Sequence, residues 1–334
     1  MWWQKNQEDG TYILLKEKFP SIIFNAPLTE ISYAKIGGLA RYYLEVYTKE
    51  DLIRAIKIAR KMLIPHLIVG SASNLLFLDE GFNGLVIKNK YTSKEAIIIN
   101  KNEVVAPSGI SLLVLIKELA QHGLGGIEFL APIPGTLGGA MVNNAGANGK
   151  EMKDVLIGAN ILDFNGEVKF IEAKKLGLSY RISKLKGLAK KRNYLKYPVI
   201  LEVKLRLQPR GKEEVDRLVQ SLFLRRSKSQ AKGLSLGCVF RNPKIDFDQD
   251  FPGEAINLGR VSVGYLLDSL NFKNKRRGKI KISPEHANIF INLGNGKAQD
   301  FCWLIADAKK SVKEKYNLDL KEEIEIVENK LING

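Results

Sequence analysis

Cys238 lies in sequence surroundings that suit a residue with a chemical role. The segment SLGCVFRNP, residues 235–243, places it between a glycine and an apolar Val-Phe pair. An unperturbed thiol has a pKa of about 8.5, so it is mostly protonated at pH 7 and is a stronger acid than an aliphatic hydroxyl. A cysteine here can be an acid or nucleophile presented to a substrate, or a small side chain buried beside Val239 and Phe240. The segment alone leaves both interpretations open.

Two stretches of small residues have the composition of phosphate-binding loops. VGSASN, residues 69–74, follows an apolar run, and IPGTLGGAMVNNAGANG, residues 133–149, contains five glycines. Glycine lets the main chain approach a ligand closely, and backbone N–H groups that converge in a loop bind anions. Neither stretch is GxGxxG, and neither has the Lys-Ser/Thr pair of a P-loop. The sequence therefore favours a nucleotide cofactor held by a fold other than these two.

The composition indicates a globular protein without disulfides or a zinc site. The chain has 334 residues, 45% hydrophobic and 26% charged, with three scattered histidines and only two cysteines, which are far apart. Cys302 lies in a helical pattern and is predicted to pack in the core. The first residues show no apolar run of signal-peptide length, and no run reaches the ~18 apolar residues of a membrane span. We expect a soluble cytoplasmic protein with no membrane insertion.

The net charge of +16 includes basic runs at residues 190–192 and 273–281. Such charge is typical of nucleic-acid-binding proteins, but no RRM, KH or zinc-finger pattern accompanies it here. A solvated basic face, or an enzyme that handles several anionic ligands, explains the charge equally well. We therefore expect no nucleic-acid partner.

Helical and hairpin patterns surround these segments. Residues 48–63 and 111–123 are predicted helices, the first with a Thr48–Asp51 capping box and the second ended by glycine. Hairpins are predicted over residues 95–107 and around Asn165–Gly166. Hairpins without a regular βαβ alternation indicate an α+β fold.

The second half of the chain contains a strand and a boundary. Residues 198–208 alternate strictly between apolar and polar, which predicts an antiparallel strand buried on one face. Residues 209–217 are polar and predict a domain boundary. An apolar strand at 287–292 and a long terminal helix are expected beyond it.

Seven segments together resemble one family, the UDP-N-acetylenolpyruvoylglucosamine reductases. They are AKIGGLA (34–40), VGSASNLL (69–76), the glycine-rich stretch 133–149, SYRIS (179–183), GCVFRNP (237–243), SPEHANIFIN (283–292) and LKEEIEI (320–326), in the family's order. The chain departs from the family in having Ser71 and Ala72 where glycines are usual, Ala131–Pro132 before the second loop, and Cys238 where serine is commonest. The short segment between Arg181 and Pro198 is similar to that of the family's compact subtype.

The resemblance implies a fold of the vanillyl-alcohol-oxidase (PCMH) type. Two α+β subdomains, residues 20–90 and 91–210, would bind FAD, and a C-terminal α+β domain, residues 215–330, would bind the substrate. It also implies that NADPH reduces a non-covalently bound FAD. The reduced flavin would then pass hydride to C3 of the enolpyruvyl group of UDP-N-acetylglucosamine enolpyruvate, giving UDP-N-acetylmuramate for peptidoglycan. A monomer is expected.

The resemblance also implies the roles of particular residues. Arg181 and Glu323 would stabilise the anionic intermediate, and Cys238 would give the proton to C2. The flavin loops would contribute Gly70, Ser71, Ala72, Ser73, Asn74, Pro134, Gly135, Gly138, Gly139 and Ala140. Substrate contacts would come from Tyr180, Asn242 and His286. Arg226 is expected to bind the diphosphate on its spacing alone, not on the resemblance. On the strand, alternation places Glu325 on the same face as Glu323, so the sequence does not separate these two carboxylates.

Two other functions remain open at this point. Another flavin oxidase of the same fold would use oxygen in place of NADPH, although neither loop contains the histidine or cysteine that many such oxidases use to tether flavin. A binding protein with a basic surface for RNA or acidic partners is the second. Bound yellow chromophore would distinguish an enzyme from a binding module.

Overall fold

The computed structural model describes residues 9–229, 231–245 and 251–328. Three sheets of four or five strands follow one another along this part of the chain. The first region contains α1 (Gly10–Lys18), β1 (Ile23–Pro27), α2 (Leu28–Ile31), β2 (Leu39–Val46), α3 (Lys49–Lys61), β3 (His66–Val69), β4 (Leu75–Phe77) and β5 (Phe82–Asn89). Its sheet has the order β1-β2-β5-β3 and is parallel except for the β1–β2 pair.

Side chains of the N-cap residues stabilise the starts of α1 and α3 in the first region. The Thr48 hydroxyl oxygen accepts a hydrogen bond from the Asp51 N–H at 3.0 Å, so the predicted start of α3 is confirmed. α1 has no counterpart among the predicted elements. The Asp9 carboxylate caps it, and the same group also accepts hydrogen bonds from Arg41 and Tyr42. The first region therefore begins about ten residues before the predicted boundary at residue 20.

The second region contains a five-stranded sheet. Its elements are β6 (Ile98–Asn100), β7 (Glu103–Pro107), α4 (Leu112–Gln121), β8 (Leu124–Gly125), α5 (Leu137–Val142), β9 (Gly146–Ala147), β10 (Lys150–Glu151), β11 (Leu156–Leu162), β12 (Val168–Glu172), α6 (Leu188–Lys191), β13 (Val199–Arg206) and β14 (Gln208–Pro209). The sheet order is β12-β11-β13-β7-β6, with every pair antiparallel. Both predicted hairpins are confirmed, as β6–β7 and β11–β12.

The strand β13 is antiparallel, as its pattern predicts, but the prediction that only one face is buried is wrong. Ile200 and Glu202 lie on the face expected to be exposed and are only 7% and 8% exposed. β13 lies between β11 and β7, and the Glu202 carboxylate is satisfied there by Lys49 at 2.8 Å and Asn160 at 2.9 Å. A carboxylate that is paired in this way can be buried. The polar residues of the alternating pattern therefore did not show that both faces of this central strand are buried.

The third region contains α7 (Lys212–Ser229), β15 (Leu234–Cys238), β16 (Ile256–Asn257), β17 (Arg260–Val261), α8 (Val263–Ser269), β18 (Arg276–Arg277), β19 (Ile280–Ile282), β20 (Ile289–Asn292), α9 (Ala298–Tyr316) and β21 (Glu325–Val327). Its antiparallel sheet has the order β15-β20-β19-β18. Cys302 is half-buried on α9 against the core of this region. Val215 and Val219 of α7 pack instead into the core of the second region. The predicted domain end at residue 330 lies outside the described residues.

The last strand returns to the first region. β21 pairs in parallel with β4, with Glu325 opposite Leu75 and Val327 opposite Phe77. β4 directly follows the loop at residues 70–74, so this pairing brings the C-terminal segment against that loop.

Among the described residues, no helix combines the length and apolarity that a membrane crossing requires. The same residues contain no cluster of three His, Cys, Asp or Glu side chains that could share a metal ion.

Candidate active site

A cavity of about 900 Å³ is the place where the predicted site residues meet. All ten residues predicted to hold FAD line it, from Gly70 through Ala140. Six of the seven residues predicted to act on or bind the substrate also line it: Tyr180, Arg181, Arg226, Cys238, Asn242 and Glu323. The fold thus brings together segments from all three regions.

The two small-residue loops contact each other directly. A Cβ atom on Gly70 would lie 2.3 Å from the Thr136 Oγ1 atom, so only glycine permits this approach. The Ser73 hydroxyl donates to the Pro134 carbonyl, and Asn74 Nδ2 donates to Asn143 Oδ1 at 3.2 Å. Thr136 in turn caps α5, where its hydroxyl accepts from the Gly139 N–H at 3.4 Å. The loops therefore form one continuous cradle.

The cradle has room for a flavin nucleotide. A Cβ atom on Gly135 would meet only Leu112 and Ser73 atoms, at 3.8 and 3.9 Å, so the space in front of this glycine is open to the cavity. Ala72 has a φ of +50°, a left-handed conformation that explains why glycine is usual in this loop. Its methyl group is small enough to be accommodated. The residues present fit FAD, whose pyrophosphate such a loop pair can bind through backbone N–H groups.

Arg181 and Glu323 form an ion pair in the cavity wall. Arg181 Nε lies 2.8 Å from Glu323 Oε1, and Arg181 Nη2 donates to the Gly146 carbonyl at 2.7 Å. Both side chains are only about one-fifth exposed. Arg181 has a φ of +56°, a conformation that a non-glycine residue adopts only where its surroundings impose it. The guanidinium is thus fixed from two sides beside the second flavin loop.

Main-chain hydrogen bonds place Glu323 between the flavin loop and Cys238. The Glu323 N–H donates to the Val239 carbonyl at 2.7 Å, and the Glu325 N–H donates to the Asn74 carbonyl at 2.9 Å. Asn74 Nδ2 also donates to the Glu323 carbonyl at 3.2 Å. The cofactor loop and the thiol-bearing segment are therefore held together through this one residue.

The Cys238 side chain reaches the cavity because β15 is irregular. The register between β15 and β20 shifts between Ser235 and Cys238, and Gly237 has a φ of +74°. A bulge of this kind changes the direction in which a side chain points and is frequent beside active sites. Burial, with a contribution from nearby Glu323, raises the pKa of the Cys238 thiol to about 12, while Arg181 and Arg226 oppose the shift. The sulfur therefore keeps its proton throughout the neutral range.

Burial also affects the two candidate carboxylates. It raises the pKa of Glu323 above its ordinary value, against the opposing effect of Arg181 and Lys186. It raises the pKa of Glu325 in the same direction. Both residues line the cavity, but of the two only Glu323 has an ion pair with Arg181 within the described residues. This contact makes Glu323, and not Glu325, the partner of Arg181 in the cavity wall.

Two basic residues near the cavity were not predicted from the sequence. Lys186 Nζ donates to the main-chain carbonyls of Glu323, at 2.8 Å, and Arg181, at 3.3 Å. Arg260 lies 3.9 Å above the Tyr180 ring centre and donates to the Asn242 carbonyl at 3.2 Å. The only feature of the sequence that could have indicated Lys186 is its position three residues after the SYRIS segment. Nothing in the sequence indicated Arg260.

Of the three other residues predicted to contact the substrate, two line the cavity and one does not. Arg226 faces the cavity from α7, and burial lowers its pKa. Asn242 lines the cavity, although its Oδ1 atom accepts from the Val263 N–H at 3.1 Å. His286 is not among the cavity-lining residues. Its ring packs against Gly264 and accepts a hydrogen bond from the Asn288 N–H at 3.2 Å, so the structure does not bring it to the site.

The two basic runs lie outside this cavity. No residue of 190–192 or 273–281 lines it. Several of these residues pair with acidic side chains instead, as Lys190 does with Glu328 and Lys275 does with Asp307. The basic residues that line the cavity, Arg181 and Arg226, are therefore a small part of the positive charge of the chain.

Comparison with known proteins first defines the class of protein. Residues 40–171 match the family model described as an FAD binding domain. Residues 229–327 match the model described as the UDP-N-acetylenolpyruvoylglucosamine reductase C-terminal domain. The α+β fold of PCMH type is thereby confirmed, and the protein is an FAD-dependent oxidoreductase.

Whole-chain relatives identify the family. The chain is 33% identical to a UDP-N-acetylenolpyruvoylglucosamine reductase from Streptococcus thermophilus over 93% of this chain and 94% of the relative. It is 34% identical to that of Bacillus subtilis over 94% and 96% of the two chains. The crystal structure of the reductase from Thermus caldophilus matches with a TM-score of 0.71 and 30% identity, covering 92% of this chain and 98% of the other. The chain belongs to the UDP-N-acetylenolpyruvoylglucosamine reductase family.

The two loop glycines should respond differently to alanine. We expect Gly135→Ala to leave the stability of the apoprotein nearly unchanged but to weaken FAD binding, since its methyl group would occupy the open cradle. Gly70→Ala should destabilise the apoprotein by about 1–3 kcal/mol, because its methyl group would collide with Thr136. Urea unfolding of the apoproteins and fluorescence titration with FAD measure the two effects. Normal FAD affinity in Gly135→Ala would show that flavin does not lie against this loop.

Proposed function

We propose that the protein reduces the enolpyruvyl group of UDP-N-acetylglucosamine enolpyruvate with NADPH, giving UDP-N-acetylmuramate for peptidoglycan synthesis. The observation that carries this proposal is that Arg181, Glu323 and Cys238 meet in the wall of the cavity that contains both flavin loops. When bound, FAD accepts hydride from NADPH and supplies it to C3 of the substrate. The chain itself must bind the substrate, stabilise the charge that develops on it and deliver a proton.

Arg181 provides the cation for the substrate carboxylate. Hydride addition at C3 moves electron density onto C2 and the carboxylate, which gives an enediolate. A fixed guanidinium stabilises that charge without having to reorganise, because it is already held by Glu323 and the Gly146 carbonyl. Its planar group can also bind both carboxylate oxygens.

Glu323 supports the same intermediate as a hydrogen-bond donor. An ionised carboxylate beside an enediolate would be repulsive, but burial raises the pKa of Glu323, so the carboxylate that pairs with Arg181 can take up a proton when the substrate binds. A neutral Glu323 can donate to the developing anion, as protonated carboxylic acids do in other buried anion sites. The negative charge of an arriving substrate raises the pKa of Glu323 again, because a like charge disfavours the ionised form.

Cys238 donates the proton that completes the reaction at C2. Its raised pKa ensures that the thiol is protonated when hydride arrives. The carbon of an enediolate is a strong base, so a thiol of this acidity can still protonate it. The two added hydrogens then balance: hydride at C3 and a proton at C2 convert the enolpyruvyl ether into a lactyl ether.

Binding groups surround these three residues. Arg226 lines the cavity and is proposed to contact the diphosphate, and Tyr180 and Asn242, which also line it, are proposed to contact the rest of the substrate. The predicted substrate contact of His286 stays a prediction, because this residue is not among those that line the cavity. Neither flavin loop contains a residue that could tether flavin, so FAD is proposed to be non-covalent.

The remaining expectations concern organisation. The division at 20–90, 91–210 and 215–330 is supported by the three separate sheets, with α1 added to the first domain and the start of α7 packed on the second. The monomeric state and the cytoplasmic location remain predictions from the sequence.

The direct test of the function is a coupled assay. Purified protein with FAD should oxidise NADPH only when the enolpyruvyl sugar is present, with one NADPH consumed per sugar, and mass spectrometry should show a product heavier by two hydrogens. Omission of the sugar is the control. Rapid NADPH oxidation that needs oxygen but not the sugar would instead show the alternative, a flavin oxidase.

Substitutions of Cys238 test the proton donor. We expect Cys238→Ala to leave flavin reduction by NADPH nearly intact and to slow flavin reoxidation by the sugar by about 10²–10⁴-fold, because only the second half-reaction protonates carbon. Cys238→Ser should retain much more activity, since a hydroxyl can also donate. Cys302→Ala, a change of the other half-buried cysteine, is the matched control and should react normally.

Stopped-flow absorbance of the flavin separates the two half-reactions. Reoxidation of folded Cys238→Ala at the parent rate would assign Cys238 to packing beside Val239 and Phe240. Equal losses of stability in the alanine and serine variants, with reoxidation unchanged, would lead to the same conclusion.

A further inference from the structure

Lys186 is a largely buried ammonium group for which the proposed mechanism has no use. Its Nζ atom donates to the Glu323 carbonyl at 2.8 Å and to the Arg181 carbonyl at 3.3 Å. These are the main-chain atoms of the two residues that form the ion pair in the cavity wall. Burying a charged lysine costs desolvation free energy. A neutral hydrogen-bond donor could link two carbonyls at a smaller cost, so the charge itself is expected to have a role.

The hydrogen bond from Lys186 holds Arg181 at a point where the main chain is in a strained conformation. Arg181 has a φ of +56°, and Ser179 and Ile182 bond across the turn that contains it. Lys186 Nζ bonds to the carbonyl at the end of this strained residue. On the other side, its bond to the Glu323 carbonyl joins the turn to the C-terminal segment. One ammonium group thus spans the two chain segments that carry the pair.

Charged groups face Lys186 from every segment around it. Arg181 lies on its own segment, Glu323 and Glu325 on the C-terminal segment, and Arg241 on the segment after β15. Lys190 also faces Glu325. Two carboxylates are therefore shared among several cations, and the charge on Lys186 influences whether each carboxylate is ionised.

We propose that Lys186 is a positioning residue for the reduction, which holds the Arg181–Glu323 pair in the geometry that receives the substrate carboxylate. This inference rests on the proposed function. Lys186 acts on the half-reaction with the sugar, because that step uses the pair. It has no part in flavin reduction by NADPH, which does not generate an anion on the substrate carboxylate.

The charge of Lys186 should give the enzyme an alkaline limit. Burial lowers the pKa of Lys186 to about 8, with Arg241 adding to the shift and Glu323 and Glu325 opposing it. The unfolded pKa is about 10.4. Between these two pKa values the unfolded chain binds more protons at this site than the folded chain does. The contribution of Lys186 to the free energy of unfolding therefore rises with pH across this range. It is complete above about pH 10.4 and is lost as the pH falls through about 8. A loss of rate above pH 8 therefore does not come from unfolding caused by this residue.

The experiment compares Lys186→Met and Lys186→Gln with Lys184→Met, an exposed lysine on the same segment, by stopped flow from pH 6.5 to 9.5. We expect Lys186→Met to slow sugar-dependent reoxidation about 10- to 100-fold with NADPH reduction unchanged, since hydrogen bonds from charged groups have this magnitude. Lys186→Gln retains N–H donors and should be intermediate. Both should lose the decline above pH 8 that the parent and Lys184→Met show.

The outcomes separate this inference from the proposed function. Failure of the parent protein to reoxidise with the sugar would refute the function. A crystal structure of Lys186→Met then tests the positioning alone: displacement of Arg181 from its 2.8 Å contact with Glu323 supports it. An undisturbed pair, or reoxidation by folded Lys186→Gln and Lys186→Met at the rate and with the pH profile of Lys184→Met, would overturn it.

Discussion

The pairing of the C-terminal strand β21 with β4 is the interaction on which the proposed site depends. In this pairing the Glu325 N–H donates to the Asn74 carbonyl, and two residues earlier the Glu323 N–H donates to the Val239 carbonyl. Because β4 begins where the first flavin loop ends, the position of the cofactor and that of the carboxylate are set by the same few hydrogen bonds. The thiol segment joins them through Val239, one residue after Cys238. Without this pairing, residues distant in sequence would not share one cavity.

Partial burial gives these residues their chemical properties. A carboxylate, a guanidinium and an ammonium group lie together at little exposure, so each is held near the others at reduced screening. Removing one partner from such a cluster leaves an uncompensated buried charge, which costs more than the pair itself stabilises. The same burial keeps Cys238 protonated and raises the pKa of Glu323, so that both groups can give a proton to an anionic substrate. Burial thus shifts the pKa of both groups in the direction that a proton-donating site requires.

Local elements could be predicted from the sequence because their causes are local. The cap at Thr48, the glycine after α4 and the turn at Asn165–Gly166 each depend on a few neighbouring residues, and all three are confirmed. The α+β fold and the family could also be predicted, since seven ordered segments carry that information. The ten loop residues that line the cavity follow from the same segments.

Properties that depend on tertiary neighbours could not be predicted in this way. β13 is buried on both faces because Lys49 and Asn160 satisfy Glu202. The distinction between Glu323 and Glu325 depends on Arg181, which is distant along the chain. Lys186 and Arg260 reach the site through hydrogen bonds to carbonyls, and any residue has a carbonyl, so no pattern signals them. His286 shows the converse, since its segment matches the family while its ring lies against Gly264.

The central claim is that Arg181, Glu323 and Cys238 act together on one substrate carbon centre. A crystal structure of the protein with FAD and the enolpyruvyl sugar tests it most directly. We expect the Arg181 guanidinium to contact the substrate carboxylate and the Cys238 sulfur to lie within about 3.5 Å of C2, the distance that reacting atoms require. A complex in which another protonated group lies at that distance from C2, with Cys238 turned towards Val239 and Phe240, would contradict it.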